Sequence, residues 1–253
     1  MRRSGNAVGC AANSRAARFA VVGVAFVLGA CTQPSTHSAA APGISAQQAS
    51  EPANVGLAKL AATKYHESGA YMSDVARAAA PAIDWLRQRA HQVSRPALVL
   101  DIDDTALTNW PVIVANDFGR FADGPCLLPA GPCGWHAWDL RGQDAPIEPT
   151  LQVFQTARSI GVAVFFITGR PESERAATER NLRVTGYIGY EQAFFTPIGA
   201  QFTSLVEFKA PIRQKISAMG YTITANMGDQ MSDLDGGFSE KTFKLPNPFY
   251  YIP

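Results

Sequence analysis

Short apolar runs closed by polar residues constrain this chain most. Pro96-Ala-Leu-Val-Leu ends at Asp101, and Val162-Ala-Val-Phe-Phe-Ile ends at Thr168. Runs that are apolar at every position suit strands buried on both faces, the kind found in parallel sheets. Tyr221 to Met227, followed by Gly228-Asp229, reads as another strand, and Lys241 to Leu245 as a last short one. Ala193–Phe195 and Leu205–Phe208 are further strand candidates. Helical patterns separate these runs. Tyr71 to Val93 places Val75, Ala79, Ile83 and Leu86 on one face, with Pro81 predicting a break or kink inside it. Thr150 to Ile160 places Leu151, Phe154 and Ala157 together and stops at Gly161. A third helix is expected from Pro171 through Val184, and a fourth from Lys209 to Met219 with Pro211 in its first turn. Strands alternating with helices predict an α/β fold: a parallel sheet with helices on both faces, in three layers. Ligands of such sheets bind beyond the carboxyl ends of the strands. Asp101, Thr168 and Asp229 would therefore converge on one crevice.

Asp101-Ile102-Asp103-Asp104-Thr105 carries the densest charge at any strand end. Asp101 and Asp103 share a side in extended geometry, while Ile102 turns away. Two neighbouring carboxylates repel unless a cation or a shared proton relieves them, and a divalent metal is the natural relief. Asp229 and Asp233 could add oxygen ligands, and an all-oxygen set favours magnesium over zinc. The plainer reading of Asp101 and Asp103, as turn-forming acids, weakens because the other polar strand ends accompany them. Asp104 is expected to bond backbone, and Thr105 to cap the turn. Arg170 and Arg213 have two open readings, contact with substrate or pairing with local acids.

These residues resemble the motifs of the haloacid dehalogenase-like (HAD) hydrolases. The features are DIDDT after a buried strand, a strand-terminal Thr168, a downstream Lys209 and GDQMSD. Leu107, Asn109, Trp110 and Pro111, the Thr168-Gly169-Arg170 segment and the tail from Phe243 to Pro248 are similar to plant-type and class B acid phosphatases and the related vegetative storage proteins. The resemblance implies a Rossmann-like sheet with an N-terminal helical segment and a small cap at about residues 106–148. It implies a phosphomonoesterase with Asp101 as nucleophile and Asp103 as acid and base, its pKa tuned upward. Thr168 would hydrogen-bond a phosphoryl oxygen. Lys209, preferred to Lys215, would neutralise charge. Asp101, Asp229 and the Asp103 main-chain carbonyl would hold Mg2+, with Asp233 binding directly or through water. Substrates would be nucleotides or other small phosphomonoesters. A non-catalytic storage protein and a phosphomutase are the alternatives. The cap is rich in aromatic residues, Trp110, Phe118, Trp135 and Trp138, which could stack on substrate or form the cap's own core. His136 lies among them without an expected metal role.

The N-terminus reads as an address. Arg2, Arg3, Arg15 and Arg18 precede the apolar run Phe19–Ala30, which is 12 residues long and short of the roughly 20 needed to span a bilayer. Leu28-Gly29-Ala30-Cys31 resembles the lipobox of bacterial lipoproteins, which implies lipidation at Cys31 and an exported, lipid-anchored protein of the cell envelope. Residues 1–30 would be the signal peptide, 31–53 an Ala-, Ser-, Pro- and Gln-rich tether, and 54–253 the phosphatase domain. Removing the signal peptide takes away four arginines and no acid, so 22 cations become 18 against 21 anions, a net charge of −3. That balance carries no nucleic-acid footprint. The expected partners are a small phosphomonoester and a membrane, and assembly into a homo-oligomer is left open. Export favours a local disulfide between Cys126 and Cys133, with two free thiols as the alternative.

Overall fold

The computed structural model describes residues 52–253. The signal peptide, Cys31 and nearly all of the tether lie outside the described residues. Two helices come first, α1 (Val55–Glu67) and α2 (Ala70–Arg89). Then follow β1 (Pro96–Leu100), α3 (Trp110–Ala115), α4 (Trp135–Arg141), α5 (Glu148–Ser159) and β2 (Ala163–Pro171). The rest is α6 (Arg175–Val184), β3 (Gln192–Thr196), α7 (Val206–Ala218), β4 (Thr222–Gly228), α8 (Met231–Leu234) and β5 (Lys241–Lys244).

The five strands form one sheet in the order β3-β2-β1-β4-β5, and every pairing is parallel. The fully apolar runs lie at its centre. Leu98 and Leu100 of β1 pack with Val75 and Leu86 of α2 and Phe154 of α5. Ala97 and Val99 pack on the other face, with Ile216, Phe208 and Ile212 of α7. This two-residue alternation, apolar on both sides, is why helices cover both faces. The α/β, three-layer architecture is as expected, including the N-terminal helical segment.

Four details differ from the sequence expectations. Helix α2 runs unbroken through Pro81. Its buried stripe of Tyr71, Val75, Ala79, Ala82 and Leu86 anchors both halves, and the proline ring faces solvent. The run Leu205–Phe208 is not a strand, because it opens α7. Phe208, Ile212 and Ile216 recur at helical spacing, a period that a four-residue window cannot reveal. Strand β2 continues past Thr168 to Pro171, with a register shift between Ile167 and Pro171. Pro171 thus ends a strand, and α6 begins only at Arg175 after a single 3-10 turn at Glu172–Glu174. Helix α1 was unforeseen; Asn54 caps it by accepting from the Leu57 amide at 3.1 Å.

The segment 106–148 between β1 and α5 contains α3, α4 and a loop closed by a Cys126–Cys133 disulfide. Trp110 stacks on His66 at 3.7 Å between ring centres and packs with Phe118 and Phe249. Those rings form local core. Trp135 instead lines the cleft described next, edge-on to Tyr250.

Candidate active site

Beyond the carboxyl ends of β1, β2 and β4 lies a cleft of about 290 Å³. Asp101, Asp103, Lys209, Asp229 and Asp233 line it from the sheet side, and Trp135, His136 and Asp139 from the 106–148 segment. The chain leaves β1 at Asp101, whose amide donates to the Met227 carbonyl at 3.1 Å and so ties the motif to β4. Asp104 takes a left-handed conformation, φ +50°, and its carboxylate accepts from the Asn109 amide at 3.0 Å. That bond closes the loop and fixes Asp101 and Asp103 on the cleft wall, the backbone role expected of Asp104.

The two cleft carboxylates of this loop have different partners. Lys209 Nζ donates to Asp101 Oδ1 and to Asp233 Oδ1, both at 2.6 Å, and all three residues are buried. Lys215 instead places its ammonium over the Phe194 ring. Asp103 accepts from Arg170 Nη2 at 2.8 Å, Arg170 Nε at 3.1 Å and Asn109 Nδ2 at 2.9 Å. Arg170 therefore pairs with local acids, one of its two open readings. Arg213 also has a settled place: it donates to the carbonyls of Asp233 and Gly237, at 2.6 and 2.8 Å, and to that of Asp235. It braces the acidic loop from behind.

Asp229 follows β4 and accepts from three donors: Thr105 Oγ1 at 3.0 Å, Gln230 Nε2 at 2.7 Å and Asn247 Nδ2 at 2.7 Å. Thr105 thus reaches across to Asp229 rather than only capping its own turn. Asp233 accepts from the Gln230 amide at 2.8 Å in a capping box at the start of α8. Gly228 is required here, since a Cβ would collide with the Asp233 side chain.

Burial and mutual repulsion, first from Asp233, raise the Asp101 pKa, with Lys209 opposing. Burial, then Asp233 and Asp104, push Asp229 up to about 7. Burial alone would depress Lys209, but Asp101 and Asp233 raise it, so it stays charged. One oxygen from each of Asp101, Asp229 and Asp233 lies within 4.8 Å of the others. Three buried carboxylates facing a single ammonium demand further positive charge, and an all-oxygen set fits a hard divalent cation.

Two of the expected site residues have surroundings that the sequence does not show. The acid role calls for an Asp103 pKa tuned upward, but it is lowered: burial pushes it up, and the Arg170 guanidinium, with Asn109 and Lys209, together more than offset this. Its carboxylate is not part of the Asp101–Asp229–Asp233 cluster. Thr168 is fully buried, and Gly169 lines the cleft in its place. The Thr168 hydroxyl lies 3.4 Å from Asp103 Oδ2 and accepts from the Arg170 amide at 3.0 Å.

The profile of the HAD superfamily, subfamily IIIB (acid phosphatase), matches residues 32–253. The chain belongs to this subfamily. Among related proteins it is 32% identical to the stem 28 kDa glycoprotein of Glycine max, over 62% of this chain and 61% of that protein. It is 30% identical to acid phosphatase 1 of Solanum lycopersicum, over 62% and 60%. It is 29% identical to vegetative storage protein 1 of Arabidopsis thaliana, over 61% and 55%. The matches span about three fifths of the length of these relatives. In fold this subfamily IIIB chain is similar to the class C acid phosphatase from Bacillus anthracis. The TM-score is 0.61 at 19% identity, covering 78% of this chain and 86% of that one.

The site contacts that sequence reading missed are those of two donors to Asp229, Thr105 and Asn247. Their partners are far away in sequence, so spacing carries no signal for them. His136, Asp139 and Glu174, also on the cleft wall, were not foreseen as a group.

Proposed function

We propose that this protein is a divalent-metal-dependent acid phosphatase that cleaves small phosphomonoesters, nucleotides among them, through an aspartyl-phosphate on Asp101. The arrangement of Lys209 between Asp101 and Asp233, with Asp229 beside them, carries the reading. Asp101 attacks phosphorus while the bond to the leaving oxygen breaks, and Asp103 gives that oxygen a proton. Water then attacks the same phosphorus, Asp103 takes its proton, and the Asp101–phosphorus bond breaks to release phosphate. Lys209 keeps Asp101 oriented and neutralises charge that builds on the phosphoryl group. Asp101, Asp229 and the Asp103 carbonyl would hold magnesium, with Asp233 beside them. The ion would supply further charge neutralisation on the phosphoryl oxygens. Thr168 acts through Asp103 and the Gly169–Arg170 backbone, and Gly169 is the part of this segment that faces substrate. A cleft of about 290 Å³ suits small esters.

Cys31 would carry the lipid that holds the enzyme on the cell envelope, and Thr32 to Ala53 would be its tether. Several acyl chains at about 0.8 kcal/mol per buried methylene anchor firmly. Among the described residues, no helix is long and apolar enough to cross a membrane.

The test is phosphate release from a chromogenic phosphomonoester by the purified full chain. EDTA is expected to abolish turnover, magnesium to restore it, and Asp101→Asn to be inactive. A storage role, suggested by the vegetative storage relatives, predicts no release above the Asp101→Asn level, and that result would overturn the enzymatic reading.

A further inference from the structure

Four carboxylates crowd one guanidinium beside the site just described. Arg170 Nη2 lies 2.8 Å from Asp103 and 3.3 Å from both Asp139 and Asp144. Glu174 is the fourth acid, and His136 Nδ1 lies 2.5 Å from its Oε1. Arg170 divides its donors among Asp103, Asp144 and Thr178, so one positive charge serves all of these acids. Glu174 Oε2 is buried and has no hydrogen-bond partner, and Asp139 Oδ1, also without a hydrogen bond, has only the 3.3 Å contact with an Arg170 Nη2 that Asp103 and Asp144 share. Asp139 and Glu174 are more than nine-tenths buried, at 5% and 2% exposure, and both line the cleft. An orphaned buried carboxylate oxygen is costly unless something compensates it.

We propose that His136, Asp139 and Glu174 form a second cation site in this cleft, suited to a zinc-class ion. One ligand atom from each lies within 4.8 Å of the others. His136 and Asp139 are three residues apart on α4 and so share a helix face. Glu174 comes from the 3-10 turn after β2. An imidazole nitrogen with two carboxylates is a borderline donor set that zinc accepts and magnesium disfavours. Three protein ligands leave a fourth position open. The His136 side chain is 47% exposed, which gives an ion access from the cleft. The His136–Glu174 pair leaves Glu174 Oε2 without a partner, whereas an ion bound by all three residues would add the positive charge that Glu174 and Asp139 lack. The site is separate from Asp101, Asp229 and Asp233, whose donors are all oxygen. It does not rest on the phosphatase reading, because metal content is measured without turnover.

The test uses the purified full chain, stripped by a chelator and dialysed against zinc in a large excess of magnesium. One zinc per chain is expected to remain. In His136→Gln and Glu174→Gln zinc affinity is expected to fall by more than about tenfold, the loss that removing even an outer partner of a ligand brings. Asp229→Asn, which breaks the other cluster, is expected to keep its zinc. Cobalt in place of zinc is expected to give visible absorption in the wild type that His136→Gln loses. His136 is half exposed, so its glutamine variant should fold, and circular dichroism checks this. No zinc retained by the wild type, equal retention in both glutamine variants, or loss of this zinc in Asp229→Asn would each overturn the proposal.

Discussion

Two aspartates two residues apart leave β1 and meet different cations: Asp101 meets Lys209, and Asp103 meets Arg170. That division gives each carboxylate its own cation, and under the proposed mechanism it separates the nucleophile from the acid and base. If Asp103 moves the protons, Asp103→Asn should lower kcat by about 10²–10⁴, most of all for esters with poor leaving groups. Parallel assays of an alkyl and a nitrophenyl phosphate check this, and equal rates for both in variant and wild type would refute it. Arg170 leads to a pH prediction. A carboxyl that acts as an acid works below its pKa, so the rate falls as pH rises through that value. Arg170 lowers the Asp103 pKa, so Arg170→Gln should move the alkaline fall of kcat to higher pH. A fall that stays put or moves to lower pH contradicts the pairing. At this scale Asp101, Asp103, Asp229 and Asp233 were legible as acids clustered beyond apolar runs, and Lys209 was legible through the family resemblance. The contacts of Thr105 and Asn247 with Asp229 were not, and for Arg170 the sequence left pairing with acids and contact with substrate equally open. Thr105 lies 124 positions from the Asp229 it donates to, and only folding brings such donors to their acceptors.

Elements were legible where the hydrophobic period was long or the run wholly apolar. Strands β1 and β2 and helices α2 and α5 fall near their expected positions for that reason. Leu205–Phe208 is ambiguous because three apolar residues in a run of four fit either period, and Pro81 signals a break only where no buried stripe holds the helix on both sides. Helix α2 keeps its course through Pro81 because the apolar stripe on either side is buried. The local penalty should persist all the same, since the missing amide and the ring clash typically cost about 3 kcal/mol in a helix interior. Pro81→Ala should therefore raise stability by up to about 3 kcal/mol, less whatever freedom alanine restores to the unfolded chain. Thermal unfolding reads this as a higher Tm. An unchanged or lower Tm would show that the helix has absorbed the proline at no cost.

At the scale of the molecule, the parallel sheet brings the carboxyl ends of β1, β2 and β4 to one edge, and the 106–148 segment supplies the facing wall. The layered fold was readable from alternation alone. The charge economy of the cleft was not, because it depends on which acids are buried together. Magnesium withdrawal tests that economy as a whole: EDTA should stop turnover while leaving the chain folded, as checked by circular dichroism. Retained activity in EDTA would mean that Asp101, Asp229 and Asp233 need no ion. The central claim is that Asp101 takes the phosphoryl group. The most direct measurement is mass spectrometry of the full chain, acid-quenched during turnover in its Asp103→Asn form, where the second step should be slow. The account predicts a phosphate adduct on the peptide containing Asp101, at that residue. An adduct on another residue, or none during measurable turnover, would contradict it.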